Sequence, residues 1–385
     1  MLLLAIPLLF PCSSGRDDDD GNAFSNYILR GIANVFFTLR FLEMGTFSTR
    51  FVAKWSMREY FEFLAISDNA PVRAWTAAKT KKKTGGGSNN GDNGIVKTVW
   101  PADRTVFFYL GLAGKLFVTY IAMEFSCAYM TKYPYRTEAR RRQFLPLWDI
   151  AGVLESLMFA VMLFAVLELA YTVGTLSLTV ILNAPFMPVS NAPYLSSSLR
   201  EFWSRRWNQP IKITIHRLIF TPTFNLLEIL TTTNTPSPPT KQRPQQKQKQ
   251  RQQQQKNRQR QRKINAAIAT MASFAFSALL HEYAIVLLIP REWTPGENSV
   301  FFLVNGVACV LAEAFAYDRD DNKTVSRTSR SRLVSAAKKV GAWFLAMAFL
   351  LVTSPFFVGP FARSGEFLKV PIGNEKLRRY FMELI

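Results

Sequence analysis

Five apolar stretches of about 20 residues or more constrain this chain more than any other feature. They occupy 105–130, 150–182, 264–290, 298–317 and 340–360. Crossing the roughly 30 Å hydrocarbon layer takes about 20 apolar residues in a helix. Helices of soluble domains average only about 11–12 residues. The pattern therefore predicts an all-α, polytopic helical membrane protein. The alternative is a large soluble all-α protein with fully buried helices. Composition limits the rest. With 385 residues, 49% of them hydrophobic and 32 of them Phe, the chain cannot be disordered throughout. Cys12, Cys127 and Cys309 are too few and too far apart for a disulfide scaffold.

The net charge of +20 is concentrated. Ten Lys or Arg and no acid fall within 241–263, among glutamines that run unbroken from Gln252 to Gln255. A nucleic-acid-binding domain pairs basic residues with a folded reading surface. This segment is low-complexity, so it reads as a solvated, disordered insertion, and no nucleic-acid partner is expected. Four regions follow. Residues 1–104 form an N-terminal interfacial or amphipathic region, with Arg40, Arg50 and Lys54 among Phe41, Phe51 and Trp55, and a basic Gly-rich loop at 79–94. An ordinary amphipathic helix on a protein core would give the same alternation. Residues 105–230 form a first membrane region, 231–263 the insertion, and 264–385 a second membrane region. The apolar start, Met1–Pro11, is too short to span; it reads as a signal-type apolar segment or the remnant of a longer helix. Basic loops at 231–263 and 318–339 place both on the cytosolic side, so the sequon at Asn322 is expected to stay unmodified.

Ionisable residues inside apolar stretches are expensive and usually face a bundle interior or a wet cavity. Lys115, Glu124, Glu155, Glu168, His281, Glu282 and Glu313 are therefore expected to line the inside of one bundle. Two segments hold most of the chemistry. The first runs from Ser198 to Pro210 and packs Arg200, Trp203, Arg205, Arg206, Trp207 and Asn208 together. Trp and Arg in this mixture suit headgroup level or a cavity wall, and guanidinium forks match phosphate oxygens. Interfacial anchoring without chemistry suits the same residues. The second is Ser277-Ala-Leu-Leu-His281-Glu282-Tyr283. Ser277 lies one turn before His281 on the same helical face. Glu282 points about 100° away, so it does not orient the ring. A lone intramembrane histidine serves packing, a proton relay or catalysis. His216 and His281 are the only histidines, which excludes a histidine-rich metal site, and no P-loop, Rossmann or HExxH motif occurs.

The box SLREFWSRRWNQ followed by SALLHEY resembles the wax synthase-like branch of the membrane-bound O-acyltransferase superfamily. Its members carry an S-L-x-x-F-W-x-x-R-W-[NH] box and a downstream L-H-E/D-Y helix. The closing Pro355-Phe-Phe-Val-Gly-Pro360-Phe361 is similar to that branch too, and the resemblance covers roughly 185–360. The chain departs from the family pattern in the Gln/Lys/Arg insertion and in having fewer upstream spans. The resemblance implies a membrane-embedded reaction chamber in which His281 is the catalytic base and Asn208 its polar assistant. It implies acyl-CoA as donor substrate, a lipid alcohol as acceptor, no cofactor and no metal, and residence in the endoplasmic reticulum membrane among membrane lipids. Arg200, Trp203, Arg205, Arg206, Trp207, Ser277 and Glu282 are the candidate substrate-binding residues. The expected activity is O-acyl transfer to a fatty alcohol, as in a wax ester synthase; a transporter or lipid-binding membrane protein is the alternative.

Overall fold

The computed structural model describes residues 39–40, 42–47, 49–57, 59–60, 63, 72, 105–133, 150–182, 186, 188–233, 244–320, 330–364 and 374–385. Among these the chain is helical with no strand. Eight helices carry the architecture: α1 (Val106–Lys132), α2 (Ile150–Leu182), α3 (Gln209–Ile215), α4 (Thr221–Thr233), α5 (Pro244–Leu288), α6 (Glu297–Asp320), α7 (Arg330–Ser364) and α8 (Glu375–Leu384). Five of them contain a stretch long and apolar enough to cross a membrane: Val106–Lys132, Ile150–Ile181, Gln252–Leu287, Glu297–Ala314 and Ala337–Ser364. The protein is an integral, polytopic membrane protein, as the apolar blocks predict.

The packing is inverted relative to a soluble domain. Val106, Phe107, Leu110, Phe117 and Val118 stand exposed on the outer side of α1, and Ile181 and Val180 do so on α2. A helix apolar all round suits lipid on one side and neighbours on the other. The inner face is where the polar residues go. On α2, Glu168, Thr172, Thr175 and Thr179 are all buried and recur at helical spacing. α1 pairs with α2, α5 with α6, and α6 with α7, which also reaches α2. Met123 and Cys127 of α1, Phe159 and Met162 of α2, Ile285 of α5, and Val358 and Phe361 of α7 meet in one core. Cys127 and Cys309 are both buried free thiols.

The charged residues inside the spans find specific partners. Lys115 of α1 binds Glu168 of α2, whose side chain is fully buried. Glu124 of α1 accepts from the backbone N–H of Asn374 at 2.8 Å and from Arg378 Nε at 3.3 Å, tying α8 to the bundle. Glu313 departs from the inward expectation: its side chain is 57% exposed and paired with Arg200, because it sits on the outer side of α6 where the box reaches it.

Two segments differ from their composition. Residues 244–263 are helical and continue without a break into the apolar half of α5. Gln, Lys and Arg are all good helix formers, and an adjoining span removes the cost of nucleation. The solvated character stands, since most of the described side chains from 252 to 263 are exposed. Asn265 anchors the junction: its Nδ2 donates to Glu228 Oε1 of α4 at 2.9 Å and to Thr231 Oγ1 at 3.3 Å. In the N-terminal region, Arg40 is buried rather than at a membrane surface. It binds Glu43 at 3.0 Å and also contacts Thr214 of α3, while Glu43 holds Arg217 at 2.8 Å. Phe47, Phe51, Trp55 and Phe63 form an aromatic cluster beside it. The apolar start, the Gly-rich loop at 79–94, residues 234–243 of the insertion and the sequon at Asn322 lie outside the described residues.

α5 and α6 approach closely at Gly306. A Cβ there would lie 2.9 Å from Phe274 Cγ and 3.0 Å from its Cβ, at the root of the side chain where it cannot swing clear. Gly306→Ala is expected to destabilise the protein by about 1–3 kcal/mol, the usual cost of overpacking. A thermal unfolding scan in detergent checks this, and an unchanged midpoint would remove the close approach as a packing constraint.

Candidate active site

The polar box lies between α2 and α3 and is held by its own side chains. Ser198 caps a single helical turn, its Oγ accepting from Glu201 N–H at 3.1 Å. Glu201 Oε2 accepts from the N–H and the hydroxyl of Ser197, both at 2.8 Å. This is a capping box shifted by one residue. Glu201 Oε1 then takes Arg206 Nε at 2.7 Å, and Arg206 Nη1 donates to the carbonyls of Asn191 and Ala192. Burial raises the Glu201 pKa, but the Ser197 and Arg206 hydrogen bonds outweigh it and hold the carboxyl below the ordinary carboxylate range.

A π-helical turn, Phe202–Arg206, follows, and a second one, His216–Phe220, comes after α3. Such turns widen the helix and often occur at functional sites. Between them stands Asn208, with φ 35° and ψ 66°. This left-handed conformation is one that Asn tolerates better than most residues. Its Oδ1 accepts from Ile211 N–H at 3.4 Å, capping α3, and its Nδ2 is left to point elsewhere.

The aromatic residues of the box form the wall toward α5 and α6. Phe202 stacks on Trp207, and Trp203 sits edge-on to Phe274 and Phe301 and tilted to Phe302. Trp203 Nε1 donates to Asn305 Oδ1 at 3.2 Å. Asn305, fully buried on α6, donates in turn to Phe301 O and to Thr353 Oγ1 of α7.

His281 lies on the other side of that wall. Phe302 faces its ring with centroids 4.3 Å apart, and Phe357 meets it edge-on at 5.4 Å. Its Nδ1 is 2.8 Å from the carbonyl oxygen of Ser277. A carbonyl only accepts, so Nδ1 carries the proton and Nε2 presents a lone pair. Ser277 therefore contributes its backbone, while its hydroxyl donates to Ser273 O at 3.0 Å. Glu282 points away from the imidazole, as the helical angle requires, and binds Trp293 and Ser299.

The structure brings His281, Phe302, Trp203, Phe202 and Trp207 into one continuous aromatic chain that ends beside Asn208. No hydrogen bond joins Asn208 to His281. Arg200 and Arg206 are held by Glu313 and Glu201. Of the three arginines, only Arg205 has no hydrogen bond or ion pair among the described residues. Near it stands Lys212 of α3, with His216 one turn beyond Lys212. Burial, then Arg205 and Arg217, lower the Lys212 pKa; burial, then Lys212 and Arg217, lower that of His216. The lowered pKa keeps the His216 imidazole neutral at pH 7, and Arg217 is paired with Glu43, so the positive charge of this edge is that of Arg205 and Lys212.

Sequence reasoning missed Asn305, Lys212 and His216. Asn305 was detectable as an amide in an apolar run, the criterion applied to the ionisable residues. Lys212 and His216 carry no signal in the sequence, because the approach of Lys212 to Arg205 depends on how the chain turns at Asn208.

Residues 186–304 match the membrane bound O-acyl transferase family, so the resemblance carried by the two motifs is borne out. The chain is 25% identical over 197 residues to the probable long-chain-alcohol O-fatty-acyltransferase 7 of Arabidopsis thaliana, covering 51% of this chain and 46% of that protein. It is 28% identical over 201 residues to the probable long-chain-alcohol O-fatty-acyltransferase 9 of the same plant, covering 51% and 47%. It is 22% identical over 223 residues to acyl-CoA–sterol O-acyltransferase 1, also from Arabidopsis thaliana, covering 58% and 51%. The chain spans about half the length of the curated relatives it matches.

Proposed function

We propose that this protein, which carries a membrane bound O-acyl transferase segment at 186–304, transfers a fatty acyl group from acyl-CoA to the hydroxyl of a lipid alcohol. The observation that carries the reading is the 2.8 Å contact of His281 Nδ1 with the Ser277 carbonyl, which assigns the proton to Nδ1 and leaves Nε2 as a proton acceptor beside Phe302 and Phe357. An alcohol is a weak nucleophile. Nε2 takes its proton as the oxygen attacks the thioester carbonyl. The C–S bond then breaks, the acyl group remains on the alcohol oxygen, and the CoA thiolate leaves and recovers the proton from the imidazolium. No covalent acyl-enzyme is required.

Asn208, at the far end of the aromatic chain from His281, is proposed as the polar residue that orients substrate there. The apolar wall of Trp203, Phe302 and Phe357 excludes water that would otherwise hydrolyse the thioester. Arg205 and Lys212 supply the positive edge for the phosphates of CoA, in place of Arg200 and Arg206, which are held by Glu313 and Glu201. The endoplasmic reticulum membrane is the proposed location, in keeping with the family resemblance.

The test is ester formation by membranes expressing the chain, fed radiolabelled acyl-CoA with fatty alcohols, sterols or diacylglycerol in separate arms. Label in wax ester supports the long-chain-alcohol reading, and label in steryl ester alone moves the acceptor. No labelled ester in any arm, with the protein present and folded, overturns acyl transfer and leaves a transport or lipid-binding role.

A further inference from the structure

Glu282 adjoins the proposed base in sequence but is committed to the neighbouring helix. Its Oε2 accepts from Trp293 Nε1 at 2.6 Å. Its Oε1 accepts from the backbone N–H of Ser299 at 3.0 Å and from the Ser299 hydroxyl at 3.2 Å. Ser299 stands in the first turn of α6, whose N–H groups have no partner within the helix. A carboxylate there also meets the positive end of the helix dipole. Glu282 is thus an N-terminal cap delivered by a different helix.

The consequence lies one turn further on. Phe302 follows Ser299 by three residues, so it shares the face of α6 turned toward α5. That is the ring lying 4.3 Å from the imidazole. The same turn of α6 is also fixed to α7. Arg363 grips Glu297 with Nη1 at 3.0 Å and Nη2 at 2.5 Å, and Gly359 leaves room for that carboxylate against the α7 backbone. Phe357, the second ring on His281, lies two residues before Gly359. Glu282 sets α6 against α5, and Glu297 sets it against α7.

We infer that Glu282 is a positioning residue: by capping α6 it fixes the register in which Phe302 walls His281, without itself handling a proton. The inference rests on the acyl-transfer reading. In this role the geometry, rather than the charge, of residue 282 matters to the rate. Misplacing a reacting group by about 1 Å costs on the order of 100-fold.

The experiment compares wild type, Glu282→Ala and Glu282→Gln in detergent, reading kcat, KM for acyl-CoA, the pH–rate profile and amide hydrogen exchange across 293–305. Glu282→Ala is expected to raise exchange at the start of α6 and lower kcat by roughly 10- to 100-fold, with KM changed far less. Glu282→Gln keeps an oxygen that accepts from Ser299 N–H, so it recovers most of kcat with an unchanged pH profile. Unchanged kcat in Glu282→Ala beside an active wild type overturns this inference alone. So does a Gln variant as inactive as the Ala one with normal exchange, because the carboxylate would then act chemically. If Glu282→Ala fails to fold, the Gln variant decides by the same criteria. A folded wild type that forms no ester overturns the acyl-transfer reading, and the proposed effect on kcat with it.

Discussion

Replacing His281 with alanine is expected to lower ester formation by about 10²–10⁴-fold at equal expression, the contribution of a positioned general base. The loss falls on kcat, because the imidazole acts as the proton moves rather than when the substrates bind. His216 provides the contrast. It lies beyond α3 beside Lys212 and is not the proposed base, so His216→Ala leaves kcat near wild type. Measuring kcat for both variants separates the two histidines. Comparable kcat losses would mean that neither is specifically the base, and an active His281→Ala would remove the proton-transfer role from this helix altogether.

The largest structural effect is expected at Lys115. Its ammonium is the cation bound to Glu168, a carboxylate with a fully buried side chain. Removing one partner of a fully buried pair typically costs about 3–5 kcal/mol, and with the Lys115 side chain 40% exposed that figure is the upper bound here. Lys115→Met should therefore lower the unfolding midpoint in detergent markedly. The double variant, Lys115→Met with Glu168→Leu, removes both charges at once. It should recover most of the loss, since an apolar pair of similar volume is often neutral or better. Equal destabilisation in the single and double variants would mean that the pair contributes by shape alone.

The spans were legible in the sequence because a long apolar helix has few alternative readings. The direction of Glu282 was legible too, since 100° per residue separates it from His281 whatever surrounds them. Residues 244–263 were not. Their composition is that of a disordered linker, and only continuity with a stable span makes the same glutamines and lysines helical. Within the site, the two motifs could be recognised as strings, but the division of labour among their arginines could not. Arg206 closes a loop through Glu201 and two carbonyls across the π turn, and Arg200 crosses to Glu313 on α6; the first depends on a helix irregularity and the second on long-range geometry. Asn208 could be picked out by residue type, whereas its left-handed backbone follows from the π turn before it, which sequence periodicity does not encode.

The unbroken length of α5 has a mechanical meaning. From Gln245 to Leu288 it contains no Gly and no Pro, so it has no hinge of the usual kind. It is held near its middle at Asn265. The polar arm from there to Pro244 is about 31 Å long and the apolar arm to His281 about 24 Å, at 1.5 Å per residue. The apolar arm is seated by Phe274 against Gly306, by Glu282 on α6 and by Ile285 in the core, so the polar arm is a cantilever whose fixed end carries the imidazole.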